Sequence, residues 1–328
     1  MTPDTGPEPF RPAFPWFGGD LQTLRYFITR PRINIPGSAE PLTFEMEDGT
    51  GDRLTGILHR PENRTANTRA HNGRPLVLIV HGLTGCSDST YIRASARHLV
   101  AAGWPVLRLT LRGAGPSAGS TRESYHAGRW LDLATVLASL RAQEIAETVA
   151  AIGYSLGGNT VLKLAAEEVS GLVAAVSISA PIDLALAAER IVQPRNRLYH
   201  RYLLARMREE GLSGDVPGDR AHAIRSARTI IEFDDRVTGP VNGYEGARDY
   251  YAQCSAKPVL DQVRVPTLVI HAEDDPWIPA RLYRDVDWNR SALLKPRVVA
   301  KGGHCGFHDR HGQWHDRQAE VFLREMAR

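Results

Sequence analysis

Cysteine is scarce. The 328-residue chain has three, Cys86, Cys254 and Cys305, far apart. An odd, sparse set cannot build a disulfide framework and fits a reducing compartment, so the expectation is unpaired, buried thiols in a cytoplasmic protein. Long apolar runs are missing as well. No stretch of about 18 apolar residues occurs, so no membrane-spanning helix is expected. The first residues, MTPDTGPEPFRPAFPW, are rich in proline and acid and lack the basic start and apolar run of a secretory signal. Neither sign of charge dominates. Lys+Arg number 40 and Asp+Glu 37, a net +3, and no run of five basic residues occurs, which argues against a nucleic-acid or polyanion partner. Internal repeats and long low-complexity linkers are also absent.

What is present is enough apolar residue, 42%, to bury a sizeable core. The length exceeds what a single core usually supports, though α/β folds often run this long as one domain. PLTFEMEDGTGDRLTGILHRP reads as a β-hairpin turning at Asp48-Gly49-Thr50-Gly51-Asp52, where glycines supply positive φ. Residues 62–74 are polar and read as an exposed loop. From Pro75 strands and helices alternate. PLVLIVHG, WPVLRLTLRG, TVAAIGYS and LVAAVSIS are apolar runs of strand length. Helical patterns follow the first three, at 89–102, 127–143 and GGNTVLKLAAEEV. The alternation predicts a mostly parallel central sheet flanked by helices. It breaks after Pro181. Residues 183–250 show helical text without a clear buried strand, too long for a connection and readable as a helical cap insertion. This divides the chain into a core of 1–182 and 251–328 and a cap of 183–250. VPTLVIHAEDD and PRVVAKGGH resume the strands. Residues 312–327 close the chain as an amphipathic helix with Ala319, Val321, Phe322 and Met326 inward.

The strongest chemical signal is Gly153-Tyr154-Ser155-Leu156-Gly157. It directly follows a strand and directly precedes a helix, as a nucleophile elbow requires, because the turn is so sharp that small residues must flank the serine. A serine hydroxyl needs a base within hydrogen-bond reach and a carboxylate to hold that base. In the α/β-hydrolase fold the order is Ser, acid, His. Glu273-Asp274-Asp275 follows a strand, and Gly302-Gly303-His304 follows the last one. Asp275 is the favoured acid for its D-P-x-x-P context, with Asp274 next and Asp183 third. His304 is the favoured base. His308, His311 and His315 read as a solvated helix face rather than a metal site, and His81 as structural. The backbone N–H groups of Leu156, after the nucleophile, and of Leu83, in His81-Gly82-Leu83-Thr84-Gly85, are the candidate oxyanion donors.

At HGLTG with STYIR, LRLTLRGAG with YHAG, GYSLGGN, SAPIDL and above all EFDDRVTGPVNGYEGARDYY, the chain resembles the YheT-like α/β-hydrolases over nearly its whole length. PWFGGDLQTL resembles the N-terminal segment of that family, with Asp20 where a histidine is common. The resemblance implies the triad Ser155, Asp275 and His304. It also implies hydrolysis of carboxylic esters, with short-chain acyl esters or monoacylglycerol-type lipids as substrates, and no metal or organic cofactor. Transfer of the acyl group to an acceptor other than water, or a binding protein that has lost activity, are the rival readings. Tyr199, Tyr202, Leu203, Leu204 and Met207 in the cap read as cap packing, or as an apolar patch for transient contact with a membrane surface.

Overall fold

A computed structural model describes residues 8–62 and 74–327. The loop expected at 62–74 therefore lies, but for its two ends, outside the described residues. The hairpin forms as its turn residues dictate. β1 (Ser38–Glu45) pairs antiparallel with β2 (Arg53–Arg60), and Gly49 and Gly51 take positive φ between them.

The strands that follow are β3 (Leu76–Val80), β4 (Val106–Thr110), β5 (Val149–Tyr154), β6 (Leu172–Ile178), β7 (Thr267–Ala272) and β8 (Leu294–Val299). The eight form one sheet in the order β1-β2-β4-β3-β5-β6-β7-β8, and from β4 to β8 every pairing is parallel. Side chains alternate between two cores. Leu76, Leu78, Val80 and Ala151 join one, and Val77, Ile79, Ala150 and Ile152 the other. Near-continuous apolar runs are what a strand buried on both faces requires. The edge strand β8 is half-exposed and tolerates Pro296, whose missing N–H would break an interior ladder.

Helices α2 (Thr90–Ala101) and α12 (Trp314–Met326) pack on one face, α3 (Trp130–Ala142) and α4 (Leu156–Ala166) on the other. In α12 Ala319, Phe322 and Leu323 are buried, but Val321 and Met326 face outward (53% and 40% exposed), because the buried stripe runs along the 315, 319, 322 side. Between β6 and β7 lie α5 (Leu184–Ile191), α6 (Arg197–Gly211), α7 (Gly218–Ser226), α8 (Ile230–Phe233), a π-turn over 234–238, α9 (Gly239–Val241) and α10 (Ala247–Cys254). Their inner side chains, among them Ile191, Leu203, Leu204, Met207 and Phe233, form a separate small core. The boundary expected at 250 falls inside α10.

Short pieces complete the chain: α11 (Arg281–Arg284) and the two-residue pair β9 (His308–Asp309) and β10 (Gly312–Gln313). Besides the short α11, helix α1 (Gly19–Thr29) was not legible in the sequence. No helix of the described residues is long and apolar enough to cross a membrane.

Candidate active site

Ser155 stands between the last residue of β5 and the first of α4, at φ 52°, ψ −120°. A non-glycine residue in that region is strained and persists only where its surroundings fix it. They do. A Cβ at Gly157 would overlap the carbonyl oxygens of His81 and Val80, and one at Gly153 would overlap the backbone of Gly157. Both neighbours must be glycine for the turn to close.

The expected partners meet the serine. His304 Nε2 lies 2.9 Å from Ser155 Oγ, and His304 Nδ1 lies 2.8 Å from Asp275 Oδ2. A ring that donates its Nδ1–H to Asp275 leaves Nε2 free to accept from the serine hydroxyl. Asp275 is held by its own loop, since its Oδ1 accepts from the N–H of Trp277 (2.8 Å) and Ile278 (3.0 Å). The other two acids make different contacts. Asp274 accepts from Gly303 N–H at 2.8 Å, and Asp183 caps α5 by accepting from Leu186 N–H at 3.1 Å. Burial presses the His304 pKa down and the Asp275 pKa up. The mutual attraction of imidazolium and carboxylate outweighs both, raising His304 and lowering Asp275.

Sequence reasoning missed what holds the His304 loop. Thr23 Oγ1, on α1, accepts from the His304 N–H at 2.8 Å, and the Trp277 ring stacks on the imidazole with centroids 4.3 Å apart. Gln22, wholly buried, donates to the carbonyls of Trp16 (2.6 Å) and His308 (3.0 Å) and accepts from His308 N–H (2.6 Å). The only sequence signal was the family likeness of PWFGGDLQTL. Asp20 accepts from Arg195 (2.6 and 3.1 Å) and from Tyr199 Oη (2.9 Å), tying α1 to α6.

His308, His311 and His315 do not form a solvated helix face. α12 begins only at Trp314, so His308 lies on β9, buried edge-on to Tyr26 at 4.5 Å, and His315 is buried beside Tyr154 at 5.4 Å. His311 remains exposed. His81 is structural, as expected. Its Nε2 accepts from Leu111 N–H (3.0 Å), which leaves the Nδ1–H to donate to Gly82 O (2.8 Å). Of the cysteines only Cys254 is buried, while Cys86 and Cys305 are half-buried and all three are free.

The loop that carries Leu83 is braced by Tyr125 of the YHAG segment. Tyr125 Oη accepts from Thr84 N–H at 2.7 Å and donates to Glu210 of α6 at 3.0 Å. Burial pushes the Glu210 carboxyl up to about 7. Thr84 sits at φ 56°. The segment Glu232–Tyr251, without evident chemistry in the sequence, is a knot between insert and core. Tyr251 donates to the buried Asp234 at 2.7 Å, Asp235 accepts from Ala247 N–H at 3.1 Å, and Tyr250 Oη accepts from Ala127 N–H at 3.0 Å. Asn159, three residues into α4, donates to the carbonyls of both Ala127 and Cys254.

Ser155 and His304 open into a cavity of about 1380 Å³ that also touches Gly82, Leu83 and Leu156. Ile191, Leu203, Met207 and Phe233 make one wall apolar, and Glu210, Asp215 and Arg220 make another part polar. Leu203, Leu204 and Met207 are therefore packed inside the insert, and of the five residues considered for a surface patch only Tyr202 is exposed (49%).

Residues 71–311 match the family described as serine aminopeptidase, S33. YheT of Escherichia coli (strain K12), whose name assigns it provisionally to the esterases, is 34% identical over 71% of each chain. The monoacylglycerol lipase of Saccharomyces cerevisiae is 30% identical over 77% of this chain and 60% of its own. The human phospholipase ABHD3 is 25% identical over 95% of this chain and 77% of its own. The esterase PF2001 of Pyrococcus furiosus superposes with a TM-score of 0.60 at 15% identity, over 90% of this chain and 98% of that one, which is a likeness of fold. The chain belongs to the YheT-like α/β-hydrolase family and is a hydrolase of the carboxylesterase and lipase type.

Proposed function

We propose that the chain cleaves carboxylic esters through an acyl-enzyme on Ser155, with His304 as general base and Asp275 as the acid that orients it. Carrying this reading is the run of contacts from Asp275 to His304 (2.8 Å) and from His304 to Ser155 Oγ (2.9 Å), the arrangement that makes a hydroxyl nucleophilic. The ester carbonyl oxygen faces the N–H groups of Leu83 and Leu156. In the Leu83 loop, Gly82, Thr84 and Gly85 N–H already have partners, and among the described residues none takes the Leu83 N–H. Ser155 Oγ attacks the carbonyl carbon while His304 Nε2 takes its proton. His304 returns that proton to the leaving alkoxide oxygen. It then takes a proton from water, which attacks the acyl-enzyme, and returns it to Ser155 as the acid leaves. Each oxyanion donor contributes about 3–4 kcal/mol to lowering the barrier.

Residues 183–250 act as a cap, and the cavity beneath them takes the acyl chain. Its apolar wall and its size, above the roughly 300–1,000 Å³ of ordinary ligand pockets, fit a lipid ester of monoacylglycerol type better than a short acyl ester. The lipase and phospholipase names of two relatives agree with this. Free thiols fit a reducing compartment, and we assign the chain to the cytoplasm.

Fluorophosphonate labelling and hydrolysis of p-nitrophenyl esters test the reading. Ser155→Ala should remove all labelling and lower kcat by about 10⁴-fold or more. A variant that still labels, or hydrolyses at the wild-type rate, removes Ser155 from the mechanism.

A further inference from the structure

Helix α1 is amphipathic the wrong way round. Its one fully buried side chain is polar, Gln22, while Leu21, Phe27 and Ile28 are 41%, 56% and 54% exposed. Just before it Phe14 and Phe17 are 83% and 53% exposed, with their rings 6.1 Å apart. Leu21 and Ile28, seven apart, share one side of the helix, and Phe17 lies just before its first turn. Phe27 meets Tyr202 of α6 ring to ring at 5.9 Å, and Leu198, one turn earlier on α6, is 79% exposed. Among the described residues, seven of the eleven exposed large apolar side chains thus fall on α1, the residues just before it and α6.

The charge around this face is mostly arginine. Arg11, Arg25, Arg30 and Arg32 stand between residues 9 and 33, where the only acid is Asp20. Between 195 and 208 there are five arginines, of which Arg195 pairs with Asp20, Arg206 with Glu209, and Arg208 donates to the Ala227 carbonyl. Asp20 is already engaged by Arg195. Arg30 lies over the Phe27 ring at 5.5 Å. Phe27, Leu198 and Tyr202 also line the rim of the cavity that holds Ser155. Apolar side chains ringed by arginine match a surface that is apolar below and anionic above. A second copy of the chain would bring arginine against arginine.

We propose that this face seats the protein on an anionic lipid–water interface, so that an ester passes from the lipid layer past Phe27 and Leu198 to Ser155. The site of action rests on the ester-hydrolase reading above; the binding itself does not. Helix α1 with the exposed Leu198 and Tyr202 of α6, rather than the buried Leu203, Leu204 and Met207, forms the contact.

Flotation of the full chain with vesicles of phosphatidylcholine, alone or mixed with phosphatidylglycerol, decides the matter. Wild type and Ser155→Ala should both float with the mixed vesicles, float far less with phosphatidylcholine alone, and be released by salt. The triple variant Phe17→Ser, Leu21→Ser, Ile28→Ser and the double variant Arg30→Glu, Arg32→Glu should each bind at least tenfold more weakly. Both should hydrolyse p-nitrophenyl acetate at the wild-type rate, which shows that they are folded. Should the triple variant lose that activity too, the double variant carries the test alone. Wild type that stays unbound, binding indifferent to lipid charge, or undiminished binding by the folded variants overturns the proposal. So does a wild-type dimer in solution that the triple variant abolishes, since a second copy would then cover the face. Ester hydrolysis that survives in Ser155→Ala alongside normal flotation would sink the catalytic reading and leave the surface standing.

Discussion

His304 sits between opposing influences, burial that favours the neutral ring and Asp275 that favours the cation. Asp275 prevails, so the pKa of the ring lies above its ordinary value of about 6.5. A general base acts only when unprotonated. The kcat/KM of ester hydrolysis should therefore fall as pH drops through that raised pKa, with the half-point on the alkaline side of 6.5. Asp275→Asn removes the anion and leaves the burial, so the half-point should move to lower pH while kcat falls by about 10⁴-fold. A half-point that stays put across that substitution would show that Asp275 does not govern the ring. Tyr125 is a positioning residue of a different kind. Its hydroxyl holds Thr84 N–H beside Leu83 and passes on to Glu210. Tyr125→Phe should lower kcat roughly tenfold, the worth of one buried hydrogen bond at about 1–2 kcal/mol, with little change in KM. Equal loss in both parameters would point to general distortion instead.

At the scale of elements, the β1–β2 hairpin is fastened to the sheet by charge. Arg112, only 1% exposed, lies within 3.0 Å of Asp52 and 2.7 Å of both Asp48 and Asp132. The acids come from the hairpin turn and from α3, so one guanidinium joins three elements. Removing it would leave the buried Asp52 without its cation and Asp132 with Arg129 alone, at 3.3 Å. Arg112→Ala should destabilise the fold by about 3–5 kcal/mol, seen as a lower denaturant midpoint. The hairpin and every strand from β3 to β8 were readable from apolar runs punctuated by glycine. So was the nucleophile elbow, because its steric demand falls on residues adjacent in sequence. Helix α1 was not readable, since its outward face is apolar and its inward face is Gln22 and Thr23, the reverse of the pattern that marks a helix on a core. The histidines after 304 were misread because the sequence does not show that β9 and β10 delay the helix to Trp314.

For the molecule as a whole, the cavity sets selectivity on the proposed reading. Its apolar wall is built largely by the insert, from Ile191, Leu203, Met207 and Phe233. Each buried methylene is worth about 0.8 kcal/mol, or close to fourfold in kcat/KM if fully realised. Across p-nitrophenyl esters of rising chain length, kcat/KM should climb well beyond the acetate before it levels off. A maximum at acetate would mean that the insert does not receive the acyl chain. That the insert is helical was legible from its length and from the absence of strand runs. How it closes on the core was not, because the knot joins Tyr250 and Tyr251 to Ala127 and Asp234 through single hydrogen bonds that leave no periodicity in the text.

The bond from the His304 backbone to Thr23 spans 281 residues. With Ser155 as nucleophile and His304 as base, as proposed, a growing polypeptide that has not yet delivered its last strands would have a nucleophile and no base, and one without α1 would have a base whose loop has lost its anchor. On that proposal, ester cleavage would wait until residues 23 and 304 have met.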